Sequence, residues 1–203
     1  MLRLRSQLFA ALAFAAVSTT SYAGMQFAAT MTGSQESTPN NSSATGKAIF
    51  FLNDAQTKLS FYGTVNGIDF TGTQSADPTD NLTNAHIHAP APLGTSAGVV
   101  WGFIGSPFND TVIPNVVVTP FATGVGGTFS GGWDAGEGNN TTLQAQINNI
   151  VAGLSYINWH TVEFPGGEIR GQIVPIPEPS TTALLALGGL GLIGFLRRRL
   201  KNS

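Results

Sequence analysis

The chain of 203 residues has only three histidines, His86, His88 and His160. They fall in two short segments, Asn84-Ala85-His86-Ile87-His88-Ala89-Pro90 and Tyr156-Ile157-Asn158-Trp159-His160-Thr161. A His-x-His pair on one strand with a third histidine from another strand offers three imidazole nitrogens, a set suited to zinc or copper. Glu168, in Gly167-Glu168-Ile169-Arg170-Gly171-Gln172, could serve as a fourth ligand or orient an imidazole from behind. The same residues could instead form a buried polar network. Arg170 would then pair with Glu168, and the histidines would cap backbone groups. Residue type and spacing leave both readings open.

Other chemistries find less support. The chain has no cysteine, which excludes disulfides, thiolate metal sites and a cysteine nucleophile. It contains no Gly-x-Ser-x-Gly elbow, no phosphate-binding glycine loop and no His-Glu-x-x-His helix. Glu36, Glu137, Glu163 and Glu168 are scattered, without a spacing that pairs them. Asp77-Pro-Thr-Asp80-Asn81 and Asp134-Ala-Gly-Glu137-Gly-Asn139 carry oxygen ligands, but neither follows an EF-hand loop, and both read as turns. The expectation is a protein that is not an enzyme. A carbohydrate-binding role is a further alternative, with Trp101, Trp133 and Trp159 as possible sugar-stacking surfaces.

The elements that must position the histidines are strands. Between Met25 and Val174 the chain is rich in Gly, Thr, Asn, Val and Phe, which favours strands and turns. Strands are expected at 25–32, 46–52, 59–65, 85–89, 99–104, 116–119, 128–133, 155–162 and 168–174, an antiparallel β-sandwich or barrel. Asn53-Asp54, Asn66-Gly67, Gly126-Gly127 and Pro165-Gly166-Gly167 read as turns, and Thr71–Asn81 as a polar loop. One short helix is expected where Leu143, Ile147, Ile150, Val151 and Leu154 fall at helical spacing. Alternation puts His86 and His88 on one face of their strand, opposite Ile87. Likewise Tyr156, Asn158 and His160 share a face, as do Glu168, Arg170 and Gln172.

The two ends of the chain do other work. Residues 1–23 combine Arg3 and Arg5, an apolar run from Leu8 to Val17, and Ser21-Tyr22-Ala23, the layout of a signal peptide cut after Ala23. Residues 175–203 carry Pro177-Glu178-Pro179, an apolar run from Thr181 to Leu196, and Arg197, Arg198 and Arg199. As a helix the apolar run would be about 24 Å long, short of a hydrocarbon core of about 30 Å. The arginines should stay on the cytoplasmic side, which puts the domain outside and makes this hydrophobic helix a transient membrane contact. The segment between these ends keeps three basic residues, Lys47, Lys58 and Arg170, against ten acidic ones, a net charge near −7. So acidic a surface excludes electrostatic binding of nucleic acid.

Two resemblances follow from these residues. The Pro-Glu-Pro, short apolar helix and arginine cluster resemble the PEP-CTERM sorting signal. That resemblance implies processing by exosortase, a membrane enzyme, delivery to the cell surface or extracellular matrix, and an association with exopolysaccharide. The histidine segments with Gly167–Gln172 resemble the CHRD domain over about residues 25–173, with Ala89 where Gly is usual and Trp159 where Val is usual. That resemblance implies an immunoglobulin-like β-sandwich spanning 24–174, and it implies no reaction.

Overall fold

A computed structural model of the chain describes residues 24–112 and 114–177. Nine strands and one α-helix build it. They run β1 (Met25–Thr32), β2 (Thr45–Leu52), β3 (Lys58–Asn66), β4 (Leu82–His88), β5 (Val99–Ile104), β6 (Val117–Pro120), β7 (Gly126–Asp134), α1 (Leu143–Val151), β8 (Ser155–Thr161) and β9 (Ile169–Pro175). Every pairing between these strands is antiparallel, and hydrogen bonds join them in the order β5-β4-β8-β9-β1-β2-β3-β7-β6.

Period-2 patterning explains why the sheet curls. Alternate residues of β1, β2 and β3, among them Phe27, Met31, Phe50, Leu52, Leu59 and Phe61, are buried. So are Trp101 and Phe103 of β5 and Ile157 and Trp159 of β8. These faces meet because the ends of the sheet fold over one another. Phe61 lies 5.7 Å from Trp101, Trp101 stacks on Trp133 at 5.7 Å, and Phe129 meets Trp159 edge-on at 4.8 Å. Burying each such ring removes apolar surface from water, worth about 1.5–3 kcal/mol per side chain. The antiparallel β class with one short helix is therefore as expected.

The three tryptophans correct one expectation. Trp101, Trp133 and Trp159 are fully buried in this core and offer no face to a sugar.

Two smaller differences have local causes. The apolar stripe continues to Leu154, but α1 stops at Val151, because Gly153 at φ +69° turns the chain into β8. Thr142 caps the other end by accepting from the Ala145 amide at 3.4 Å. Gly126-Gly127, expected as a turn, opens β7 instead. A side chain at Gly127 would overlap Phe70 and the Thr119 carbonyl, so glycine lets β6 and the loop approach.

Candidate metal centre

The histidines lie on the outer face of the β4–β8–β9 portion of the sheet, opposite the core. Ladder register sets Asn84 against His160, His86 against Asn158 and His88 against Tyr156. Asn158 in turn faces Arg170 on β9. His86 and His160 are thus diagonal neighbours across one ladder, close enough for rings to meet. Ring centroids of His86 and His160 are 5.1 Å apart, of His86 and His88 5.7 Å, and of His88 and His160 6.2 Å.

Loops close over this outer face, leaving the three histidines 4%, 8% and 7% exposed. Each loop supplies one carbonyl to one ring. His86 Nε2 donates to Ser106 O at 3.1 Å, His88 Nδ1 to Ala97 O at 3.0 Å and His160 Nδ1 to Pro165 O at 3.0 Å. A carbonyl can only accept, so these contacts place the proton and fix the tautomer. The other nitrogen of each ring, His86 Nδ1, His88 Nε2 and His160 Nε2, is buried without a hydrogen-bond partner. One nitrogen from each ring lies within 4.8 Å of the others.

The rings are held neutral. Burial pushes His86 down to about 4, helped by the neighbouring His160. Burial does the same to His88, with the neighbouring His86, His160 and Arg170 adding to it. Burial also lowers His160. A neutral imidazole whose N–H is tied to a carbonyl presents a lone pair at its second nitrogen, the state that binds a metal.

Room for the rings depends on neighbours. Gly102 of β5 sits opposite His86, and a Cβ there would overlap the Pro107 carbonyl and press on the His86 ring. Tyr156 stacks flat on His88 at 4.7 Å, and the Arg170 guanidinium lies 3.5 Å over the Tyr156 ring. Arg170 also donates to Thr95 O at 2.6 Å, Pro92 O at 3.3 Å and Gln172 Oε1 at 3.2 Å, which ties the 89–98 loop over the site.

Glu168 behaves unlike both sequence readings. Its carboxylate accepts from Ser42 Oγ and Thr161 Oγ1, both at 2.6 Å, and it touches neither a histidine nor Arg170. It closes the 36–44 segment onto β9 through these two hydroxyls and lies outside the three-histidine group. The acid close to Arg170 is Glu36, 122 residues before the Asn158 whose Nδ2 it receives at 2.8 Å. Burial raises Glu36 to about 7, with Asn158 and Arg170 pulling the other way. No local spacing could have found it. Only the curl of the chain through Gly33–Gln35 brings Glu36 to β8. The three capping carbonyls were equally hidden, because a carbonyl carries no side-chain signature.

The fold and site define a class, an antiparallel β domain with a buried cluster of three neutral histidines on its outer face. The CHRD domain model matches residues 27–173, so the chain belongs to the CHRD domain family. The PEP-CTERM protein-sorting motif matches residues 175–199. No curated protein and no solved structure matches the chain. The sorting motif implies export across the inner membrane, transient membrane anchoring and processing by exosortase. Ala23, Glu178, Pro179, Arg197, Arg198 and Arg199 lie outside the described residues. Among the described residues no helix is long and apolar enough to cross a membrane.

Proposed function

We propose that the exported domain is a metal-binding surface module, holding one zinc or copper ion through His86 Nδ1, His88 Nε2 and His160 Nε2. The observation that carries this is the set of three buried, unpartnered nitrogens on rings whose other nitrogens are already tied to carbonyls. A buried acceptor left unpaired costs about 1–3 kcal/mol, and here there are three on rings in contact. A single cation relieves all three. Nitrogens bound at about 2.0–2.1 Å in a tetrahedron stand about 3.4 Å apart, so the rings close by about 1 Å on loading. The nitrogen set without thiolate or carboxylate suits zinc or copper over calcium or magnesium. Asn158 Oδ1, opposite His86 in the ladder, is also buried and unpartnered.

The test is titration of the metal-stripped domain with zinc and with copper against a competing chelator. One ion per wild-type chain is expected, with affinity reduced by more than about a hundredfold in His160→Leu, beyond the usual effect of losing an outer-shell partner. Equal binding by wild type and His160→Leu, or binding by neither, would overturn the reading.

A further inference from the structure

The sorting motif begins inside the folded domain. Its match starts at residue 175, while β9 runs to Pro175, paired with Phe27 of β1, and the Ile176 amide still donates to Gln26 O at 2.8 Å. No linker separates the fold from the tail. From Ile176 to Ser180 the chain can span at most about 17 Å before the apolar run that starts at Thr181. β1 starts at Met25 on the same pole, so both ends of the domain emerge side by side.

The outer face at that pole is apolar. Ladder register sets Val174, Ala28, Ile49 and Tyr62 in one row across β9, β1, β2 and β3. The next row toward the chain ends carries Ile176, Gln26, Phe51 and Ser60, so its apolar members are Ile176 and Phe51. On this face Phe51, Tyr62, Val174 and Ile176 are exposed. One row further from the ends the face turns polar, with Thr30, Lys47 and Thr64. Phenylalanine and isoleucine nearest the tip, then tyrosine, then lysine is the order in which side chains partition through a membrane interface.

We propose that this corner of the sheet rests on the phospholipid bilayer while the uncut tail holds the domain there. The tether supplies the effective concentration that a small patch lacks on its own. The acidic domain gains little from anionic headgroups, so cutting the tail releases the contact along with the chain. This inference is independent of the metal reading.

The absence of cysteine permits single-site probes. Full-length chain would be inserted into phosphatidylcholine vesicles with brominated acyl chains, carrying a fluorophore on Phe51→Cys or on Val162→Cys. Val162 is exposed and follows β8 at the opposite pole. The expected result is quenching several-fold stronger at position 51 than at 162. A long Gly/Ser spacer inserted between Ile176 and Pro177 should reduce the quenching at 51 without unfolding anything. Equal quenching at the two positions, or none at 51, would overturn the proposal. Position 51 unquenched by lipid but self-quenching as protein density rises would assign the face to a second copy of the chain and overturn it likewise.

Discussion

Two buried polar regions of this domain solve the same problem in opposite ways. Around Glu137, 2% exposed, a carboxylate receives four donors: Trp101 Nε1 at 3.2 Å, Thr111 N at 2.8 Å, Val112 N at 2.9 Å and Asp134 N at 3.2 Å. Its two oxygens are filled by the protein itself. The histidine cluster is buried to a similar degree, yet three of its six ring nitrogens have nothing to bind. Satisfied buried groups hold a fold together, whereas unsatisfied ones that converge are a place for something else. The first region reads as structure and the second as a site.

The comparison breaks if Glu137 proves dispensable. Glu137→Ala orphans four donors, and a loss on the order of 4 kcal/mol in denaturant unfolding is expected. Metal stoichiometry per folded chain should not change. A loss below about 1 kcal/mol would mean that closed hydrogen bonding is not what stabilises that region.

Acid sharpens the contrast from the other side. His86 and His88 have folded pKa values near 4, below the ordinary 6.5. Between these values the unfolded chain binds more protons, so stability falls as pH drops from about 6.5 to 4. Glu36 opposes this. Its pKa is raised to about 7 from 4.5, so the folded state binds the extra proton and gains stability as pH falls through that range. His160 is lowered in the same sense, so three histidines outweigh Glu36 and the metal-free domain should lose stability as pH falls from about 6.5 to 4. Melting temperatures that stay level or rise between pH 6.5 and 4 would contradict it.

Metal should act on the cluster alone. At a free concentration about a hundred times the dissociation constant, zinc or copper should stabilise the wild-type domain by about 2.7 kcal/mol. That corresponds to a rise of about 5–10 °C in Tm. Calorimetry of His88→Ala should show no rise. An equal rise in that variant would place the ion elsewhere.

The smallest effect is the most discriminating. In the metal-free domain, His160→Leu loses the bond to Pro165 O but also removes an unpaired buried nitrogen, so its net cost should stay within about 1 kcal/mol. A cost as large as that of Glu137→Ala would make His160 a structural residue of the same kind.

Much of this was legible in the sequence, for identifiable reasons. Strands β1 and β5 begin and end where expected, because β1 alternates buried and exposed residues and β5 is a short run of buried ones. The period of two put His86 and His88 on one face, but the antiparallel β4–β8 register that brings His160 to them has no signature in the sequence. Glu168 was misassigned because it precedes the first paired residue of β9, where alternation no longer dictates direction, and it turns to Ser42 and Thr161 instead. Glu36 and the carbonyls of Ala97, Ser106 and Pro165 were invisible because loops bring them in from distant positions. The polar loop after Thr71 is organised from outside itself. The Asp69 carboxylate receives the amides of Thr71, Gly72, Gln74 and Ser75.

A crystal structure of the zinc-loaded domain, with anomalous scattering recorded at the zinc edge, tests the central claim most directly. The expected result is one peak about 2.0–2.1 Å from His86 Nδ1, His88 Nε2 and His160 Nε2, with the three carbonyl contacts of the rings kept. A loaded crystal with no peak between these rings, or with its ion bound at other side chains, would contradict it.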